Sequence, residues 1–178
     1  MKIFNRYVFS KKIPFIISCW LLMISVTSCG VYSFRDVSID YTKIKKVKIF
    51  YIDNKSPGYK NPQVSQLLTD KIQQKITSQT KLSRTNNDDA DMQISGYISD
   101  YSVTTSAISS TQASSNRLTV GVHLSVRTKP DAEAKTYDVS RSFDFSANLS
   151  LQEAEGQLLS QIVSNLTDDI FNRIFSNW

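Results

Sequence analysis

The clearest strand pattern in the chain is Leu118-Thr119-Val120-Gly121-Val122-His123-Leu124-Ser125-Val126-Arg127. Apolar side chains occupy every second position, and successive side chains of a strand point to opposite faces of the sheet. One face of this strand should therefore be buried, whereas the face that carries Thr119, His123 and Ser125 should meet water. A sheet with one wet face needs a covering layer on the other face only, so the stretch predicts a two-layer protein.

Three more strands are predicted on either side of this stretch. Residues 47–52 form a run rich in β-branched and aromatic residues, which is typical of a strand. Residues 92–103 alternate, but the apolar phase shifts by one near residues 98–100, which predicts a β-bulge or a strong twist. The strand around 138–145 alternates again, and Arg141 interrupts its apolar row, which places this residue near an edge. Residues 104–115 have little charge and many hydroxyls, so they predict a mobile hairpin tip.

Two amphipathic helices are predicted from spacing and capping signals. Residues 62–80 carry apolar side chains at helical intervals, and Pro62 suits the first helical position because its missing N–H costs nothing there. Ser150 and Glu153 form a capping-box pattern at the start of a second apolar stripe, which should run to about Phe175. The polar, acidic stretch 83–91 predicts a loop.

The predicted fold class is α/β, in the α+β sense. The order β-α-β-β-β-α gives a two-layer sandwich in which a four-stranded mixed sheet is covered by two helices on one face. The first strand–helix–strand connection should be a right-handed crossover if its strands are parallel, and the remaining strands should form antiparallel hairpins. The uncovered face should carry polar side chains from two strands, namely Thr119, His123, Ser125, Asp138, Ser140, Ser142 and Asp144.

The N-terminus has the three parts of a secretory signal. Residues 1–12 hold four cations and no acid, and an apolar run over 13–24 follows that is too short for a comfortable membrane span. Val26-Thr27-Ser28-Cys29-Gly30 resembles the bacterial lipobox. In a lipobox the signal peptide is cut off directly before the cysteine, and this cysteine carries the acyl chains. We therefore expect a signal peptide over 1–28, a lipidated tether over 29–43 and one domain over 44–178.

Net charge gives no argument for nucleic-acid binding. The whole chain has 21 Lys and Arg against 16 Asp and Glu, but the four cations of the signal peptide leave 17 against 16 in the predicted mature chain. The mature chain would keep Cys29 alone, so no disulfide can form within it.

The residues offer no persuasive catalytic or metal-binding set. His123 is the one histidine in the sequence, and its place on a polar strand face favours a solvated side chain over a ligand or a catalytic base. Asp88, Asp89 and Asp91 lack the spacing and the glycine of a calcium loop, so a solvated loop is favoured. We expect no enzyme, no metal and no cofactor.

A cluster of lysines at 43, 45, 46 and 48 has two interpretations. It could attract anionic lipid or the phosphates of lipopolysaccharide. It could also be the charged start of an edge strand, which discourages aggregation between sheets. The second interpretation is favoured on sequence grounds.

The ordered set of segments resembles the LptE family of lipopolysaccharide-assembly lipoproteins, in its Bacteroidota form. No one segment is specific, but together they span essentially the whole predicted mature chain. The segments that carry the resemblance are Cys29-Gly30-Val31-Tyr32-Ser33-Phe34, Asn61-Pro62, Ile94-Ser95-Gly96-Tyr97-Ile98 with Tyr101 and Val103, Asn116-Arg117-Leu118-Thr119-Val120, and Asp169-Ile170-Phe171-Asn172 with Trp178.

The resemblance implies an outer-membrane lipoprotein on the periplasmic side that plugs the LptD β-barrel, assists its assembly and takes part in lipopolysaccharide transport. It implies the barrel, lipopolysaccharide and the membrane as partners, and Arg117 and Arg127 are the candidate lipopolysaccharide contacts. A hydroxyl-rich hairpin could reach into the barrel lumen, which is polar and wet. The alternatives are a lipoprotein accessory of another envelope lipid transporter and, less favoured, an envelope hydrolase.

Overall fold

The computed structural model describes residues 39–109, 112–129 and 133–176. The predicted signal peptide, Cys29 and most of the predicted tether lie outside the described residues, as does Trp178. In the part of the chain that is described, no helix combines the length and the apolar character needed to span a bilayer.

The described residues form one mixed sheet and two helices. The elements are β1 (Lys46–Ile49), β2 (Asp53–Asn54), α1 (Pro62–Gln79), β3 (Ser83–Arg84), β4 (Met92–Ser109), β5 (Gln112–Thr128), β6 (Ala134–Ser146) and α2 (Leu151–Phe175). The strand order is β3-β1-β4-β5-β6, with β2 also paired to β4. β1 is parallel to both of its neighbours, whereas β4, β5 and β6 are successively antiparallel. The predicted α+β class, the mixed sheet and the two helices are confirmed.

The predicted count of four strands is wrong, because the sheet has six. The predicted first strand, 47–52, ends early at Ile49, and a separate strand, β2, starts at Asp53 after one extra residue relative to β4. Six positions separate Val47 from Asp53, but five separate their partners Met92 and Tyr97. The chain therefore leaves the ladder between β1 and β2, where the N–H of Ile52 donates to Oγ1 of Thr69 in α1, at 3.1 Å.

Another strand that the sequence does not predict is β3, which occupies the first two residues of the predicted loop 83–91. The N–H of Ser83 donates to the carbonyl of Lys45 at 2.8 Å, and the N–H of Thr85 donates to the carbonyl of Val47 at 3.0 Å. This short strand covers the outer edge of β1. The polar composition of this segment gives no sign of a strand, because a two-residue edge strand needs backbone hydrogen bonds but no apolar side chains.

The hairpin between β4 and β5 is longer than predicted. The expected mobile tip over 104–115 is wrong for most of its length, since β4 continues to Ser109 and β5 begins at Gln112. Hydroxyl side chains do not prevent backbone pairing, and the hydroxyls of Ser106 and Ser115 are themselves 2.6 Å apart. The predicted bulge is confirmed, because the register shifts between Ile98 and Asp100.

Both helices begin as their sequences predict. The side chain of Asn61 caps α1 by accepting from the N–H of Gln63 at 2.9 Å, and Pro62 follows as the first helical residue. At the start of α2, Ser150 and Glu153 form the reciprocal capping box. The predicted ends near residue 80 and at Phe175 agree with the observed helices within one residue.

The core lies between one face of the sheet and the two helices. Apolar side chains of α1 and α2 pack in the same buried cluster as the inward row of β5. Arg141 interrupts the inward row of the last strand, β6, as predicted, and its guanidinium forms an ion pair with Asp169 of α2. The buried members that join the layers include Val64, Leu68, Ile72, Leu118, Val120, Val122, Leu124, Ile162, Leu166 and Ile170.

Candidate functional site

The candidate site is the face of the sheet that points away from the helices, here called the open face. Strand register arranges its side chains in rows that cross β4, β5 and β6. All seven residues predicted for the uncovered face belong to β5 or β6 and point to it. The rows are Thr104–Arg117–Asp144, Ser102–Thr119–Ser142, Asp100–Gly121–Ser140, Tyr97–His123–Asp138 and Ser95–Ser125–Thr136.

Arg117 is held by an acid of the neighbouring strand. Its Nε donates to Oδ1 of Asp144 at 2.8 Å, and Nη2 donates to Oδ2 at 3.0 Å. This bidentate pairing lowers the pKa of Asp144 below its usual range and raises the pKa of Arg117. A free phosphate would have to compete with Asp144 for Arg117, so this residue is a weaker candidate contact than its sequence context suggests.

Arg127 does not share a site with Arg117. The two residues lie ten positions apart on the same strand, which places their Cα atoms about 33 Å apart. Arg127 is exposed at the far end of β5, where its neighbours across the sheet are Gln93 and Ala134. One ligand headgroup cannot contact both arginines.

His123 lies in the centre of the open face and pairs with an acid. Its Nδ1 is 2.7 Å from Oδ1 of Asp138, and its ring centroid is 5.3 Å from that of Tyr97. A histidine–aspartate pair alone lacks a nucleophile. Thr119 and Ser142, whose hydroxyls are 3.0 Å apart, lie two rows away and bond to each other. Among the described residues, no serine or threonine hydroxyl bonds to the His123 ring, so the pair is part of a polar surface.

The acidic loop after β3 anchors backbone and lysine groups. One oxygen of Asp91 accepts from the N–H groups of Lys45 and Lys46, both at 2.9 Å, and these bonds lower the pKa of Asp91. Asp88 bonds the ammonium of Lys48 at 2.5 Å. Across 39–109, 112–129 and 133–176, no three His, Cys, Asp or Glu side chains are grouped to hold a metal ion.

A buried acid that the sequence reasoning missed lies behind the sheet. Glu155 of α2 is 3% exposed. Its carboxylate accepts from the hydroxyl of Tyr101, from Nδ2 of Asn61 at 3.0 Å and from the hydroxyl of Tyr59 at 3.1 Å. Burial raises the pKa of the Tyr101 hydroxyl well above its usual range, and the bond to Glu155 adds to this. We call these four residues the Glu155 cluster.

The helix periodicity contains a signal for Glu155. The residue lies four positions after Leu151 and four before Leu159, on the apolar stripe of α2. An acid on such a stripe needs buried donors, because an isolated buried carboxylate is costly. The donors come from a loop and from β4, which the linear sequence does not place beside α2.

The hairpin of β4 and β5 extends beyond the helical layer. β4 has 18 residues and spans about 56 Å, whereas the 25 residues of α2 span about 37 Å. Tyr101 contacts α2 near its start, and past it Ser102, Val103, Thr104 and Thr105 are all exposed. Past Tyr101 the inward side chain of Val103 in β4 is therefore uncovered, whereas Leu118, Phe143 and Phe145 of the neighbouring strands stay buried at that level.

The described residues thus form an α+β domain with a polar open face and a long hairpin. A profile of the LptE family, described as lipopolysaccharide-assembly, matches residues 44–174, and the chain belongs to this family. No curated relative matches the sequence.

Solved structures with a related arrangement of strands and helices share little sequence with the chain. A lipoprotein from Neisseria meningitidis is 10% identical with a TM-score of 0.40, over 70% of this chain and 99% of its own. Lipoprotein B from Nitrosomonas europaea is 16% identical with a TM-score of 0.45, over 74% and 79%. A hypothetical protein from Chlamydia trachomatis is 10% identical with a TM-score of 0.46, over 75% and 99%.

Proposed function

We propose that the protein is an acylated outer-membrane lipoprotein that plugs an LptD-type β-barrel, assists its assembly and takes part in lipopolysaccharide delivery. Membership of the lipopolysaccharide-assembly family supports the general role. The observation that carries the proposal further is the open face, which is polar over five rows and continues into the projecting hairpin.

The open face suits the interior of a barrel. The lumen of a large outer-membrane barrel is polar, so an apolar surface would be a poor partner for it. Hydroxyls and paired charges on the open face can exchange water for polar barrel side chains without exposing apolar core. The hairpin is a narrow element that can enter the lumen ahead of the helices.

The membrane anchor is part of the proposal. Cleavage before Cys29 and acylation of its thiol and amine would attach several acyl chains, and each buried methylene adds roughly 0.8 kcal/mol of membrane affinity. The residues after the cysteine, Gly30 to Phe34, lack the acidic run of surface-exported lipoproteins, which supports a periplasmic location.

The test is affinity purification of the tagged protein after mild detergent extraction. We expect an outer-membrane barrel as the main partner. Recovery of inner-membrane transporter subunits alone would contradict the proposal and favour an accessory of another lipid transporter.

Matched variants locate the contact surface. Thr119→Arg with Ser125→Arg places two large charged side chains on the open face, and it should reduce the recovery of the barrel severalfold. Gln66→Arg with Gln74→Arg adds the same charge to exposed positions of α1 and should leave recovery unchanged. Loss of the barrel in the second variant but not in the first would exclude the open face as the contact.

A further inference from the structure

The strand register gathers basic side chains at one end of the sheet. The starts of β1, β3, β4 and β6 and the end of β5 lie side by side there, as the pairs Lys46 with Ser83 and Met92 with Thr128 show. The exposed cations at this end include six that define what we call the basic end: Lys45, Lys46, Arg84, Arg127, Lys129 and Lys135. The sequence shows two of them within its lysine cluster, whereas the fold adds four from other strands.

The acids at this end do not balance these cations. Asp40 and Asp88 form ion pairs with Lys43 and Lys48, and Asp91 accepts from the backbone of β1. Two other acids, Asp89 and Glu133, are exposed. Among the described residues, none of the six cations of the basic end forms an ion pair, so the surface there keeps a positive excess.

The opposite end of the molecule, around the hairpin, has no positive excess. Its cations Lys55, Lys60 and Arg117 are outnumbered by the acids Asp100, Asp144, Glu153 and the buried Glu155. The positive excess is therefore a property of one end and not of the whole surface.

The chain enters the described part of the protein at the basic end. Ile39 lines a cavity of about 350 Å³ there, together with Lys135 of β6 and Phe175 of α2. Ten positions separate Ile39 from Cys29, so an extended tether would reach at most about 36 Å. An acyl anchor at Cys29 would thus hold the basic end near the membrane.

We propose that the basic end docks on the headgroups of an anionic phospholipid bilayer, before the protein meets its barrel, with the hairpin pointing away from the membrane. The inference rests on the proposed anchor at Cys29. Lysine and arginine near an anionic surface each strengthen attachment, within a Debye length of about 8 Å at physiological salt. Because the cations lie at several strand ends of one sheet, their contact with the headgroups would fix the orientation of the protein on the membrane. A flexible tail rich in lysine would not do so.

The lysine cluster thereby acquires a different role from the edge protection that the sequence favours. β3 lies outside β1, so β1 is not the edge strand that the sequence predicts. Exposed Lys45 and Lys46 are instead part of a surface that spans five strands.

The experiment uses the acylated protein in nanodiscs made of neutral phosphatidylcholine or of phosphatidylcholine mixed with anionic phosphatidylglycerol. A fluorophore is attached at Ser83→Cys at the basic end or at Thr104→Cys on the hairpin, both exposed positions. Lipids with a spin label in the headgroup quench fluorophores that approach the membrane surface. We expect severalfold stronger quenching at position 83 in anionic discs than in neutral discs, loss of this difference at high salt, and little quenching at position 104.

Charge reversal provides a matched comparison. Arg127→Glu with Lys129→Glu should abolish the difference between the two kinds of disc, whereas Lys60→Glu with Lys71→Glu, which changes net charge equally, should preserve it. Equal quenching of the native protein in both kinds of disc, or equal loss in both variants, would overturn the docking surface while leaving the barrel proposal intact. A protein that enters neither disc would contradict the anchor and the docking surface together.

Discussion

At the scale of single residues, the Glu155 cluster decides how the helices meet the base of the hairpin. Glu155 joins α2 to Tyr101 of β4 and to Asn61, which also caps α1. One carboxylate thus holds three parts of the chain at the level where the hairpin leaves the helical layer. Within the described part of the chain, its hydrogen-bond donors are all neutral side chains.

Glu155→Ala should destabilise the protein by about 2–4 kcal/mol, because it leaves buried hydroxyl and amide donors without an acceptor and creates a cavity. Glu155→Gln keeps an acceptor oxygen and similar volume, so it should cost less than half as much. Urea denaturation followed by circular dichroism measures both values. Equal stability of the alanine variant and the native protein would show that the cluster contributes nothing.

The Tyr101 hydroxyl should make the protein sensitive to alkali. Its pKa is raised in the folded state, so the folded protein binds this proton more tightly than the unfolded chain. The resulting stability is complete below the unfolded pKa of about 10 and declines as the pH rises above it. Tyr101→Phe removes the ionisable group, so its free energy of unfolding should fall less steeply between pH 10 and pH 12 in titrated urea denaturation. Parallel curves for the two proteins would contradict the assignment.

At the scale of elements, the pairing of β4 with β5 depends on a close approach at Gly96. A Cβ at this position would lie 2.5 Å from the carbonyl oxygen of His123 and 2.9 Å from Cδ2 of Leu124. Gly156, in contrast, lies within α2, where an added Cβ would have no neighbouring atom within 4 Å. A side chain at Gly96 would therefore clash with the neighbouring strand, whereas a Cβ at Gly156 would meet no neighbouring atom.

Alanine at the two glycines should change stability in opposite directions. Gly96→Ala forces the strands apart and should cost about 1–3 kcal/mol. Gly156→Ala should stabilise the protein by up to about 1 kcal/mol, because alanine loses less backbone entropy in a helix. Thermal unfolding of both variants gives the comparison, and a neutral Gly96→Ala would mean that the strands are not packed as described.

The sequence predicts those elements whose side chains carry the periodicity. Strand β5, both helices, the capping box at Ser150 and the shift near Ile98 all follow from apolar spacing or local hydrogen bonds, so one sequence suffices to find them. Strands β2 and β3 escape prediction because two residues are too few for a pattern and their pairing is non-local. The open face was predictable, but the pairing of Arg117 with Asp144 and the assembly of the basic end depend on strand register.

At the scale of the whole molecule, anchoring and barrel binding should be separable. Cys29→Ala should block acylation and leave an uncleaved precursor, as measured by incorporation of labelled fatty acid and by electrophoretic mobility. The domain of this variant should still fold, since the buried core that the described residues form begins at Ile44, well after Cys29. Processing and fatty-acid labelling that persist in the variant would show that the anchor lies elsewhere.

The placement of β1 has a consequence for the order in which the exported chain folds. Its partners lie far downstream, since Lys46 pairs with Ser83 and Val47 with Met92, whereas β4, β5, β6 and α2 follow one another closely. Contacts between distant residues close large loops and therefore form late. A chain that emerges from a secretion channel N-terminus first would expose β1 until β4 has appeared, and the lysines around β1 would keep that waiting segment from aggregating.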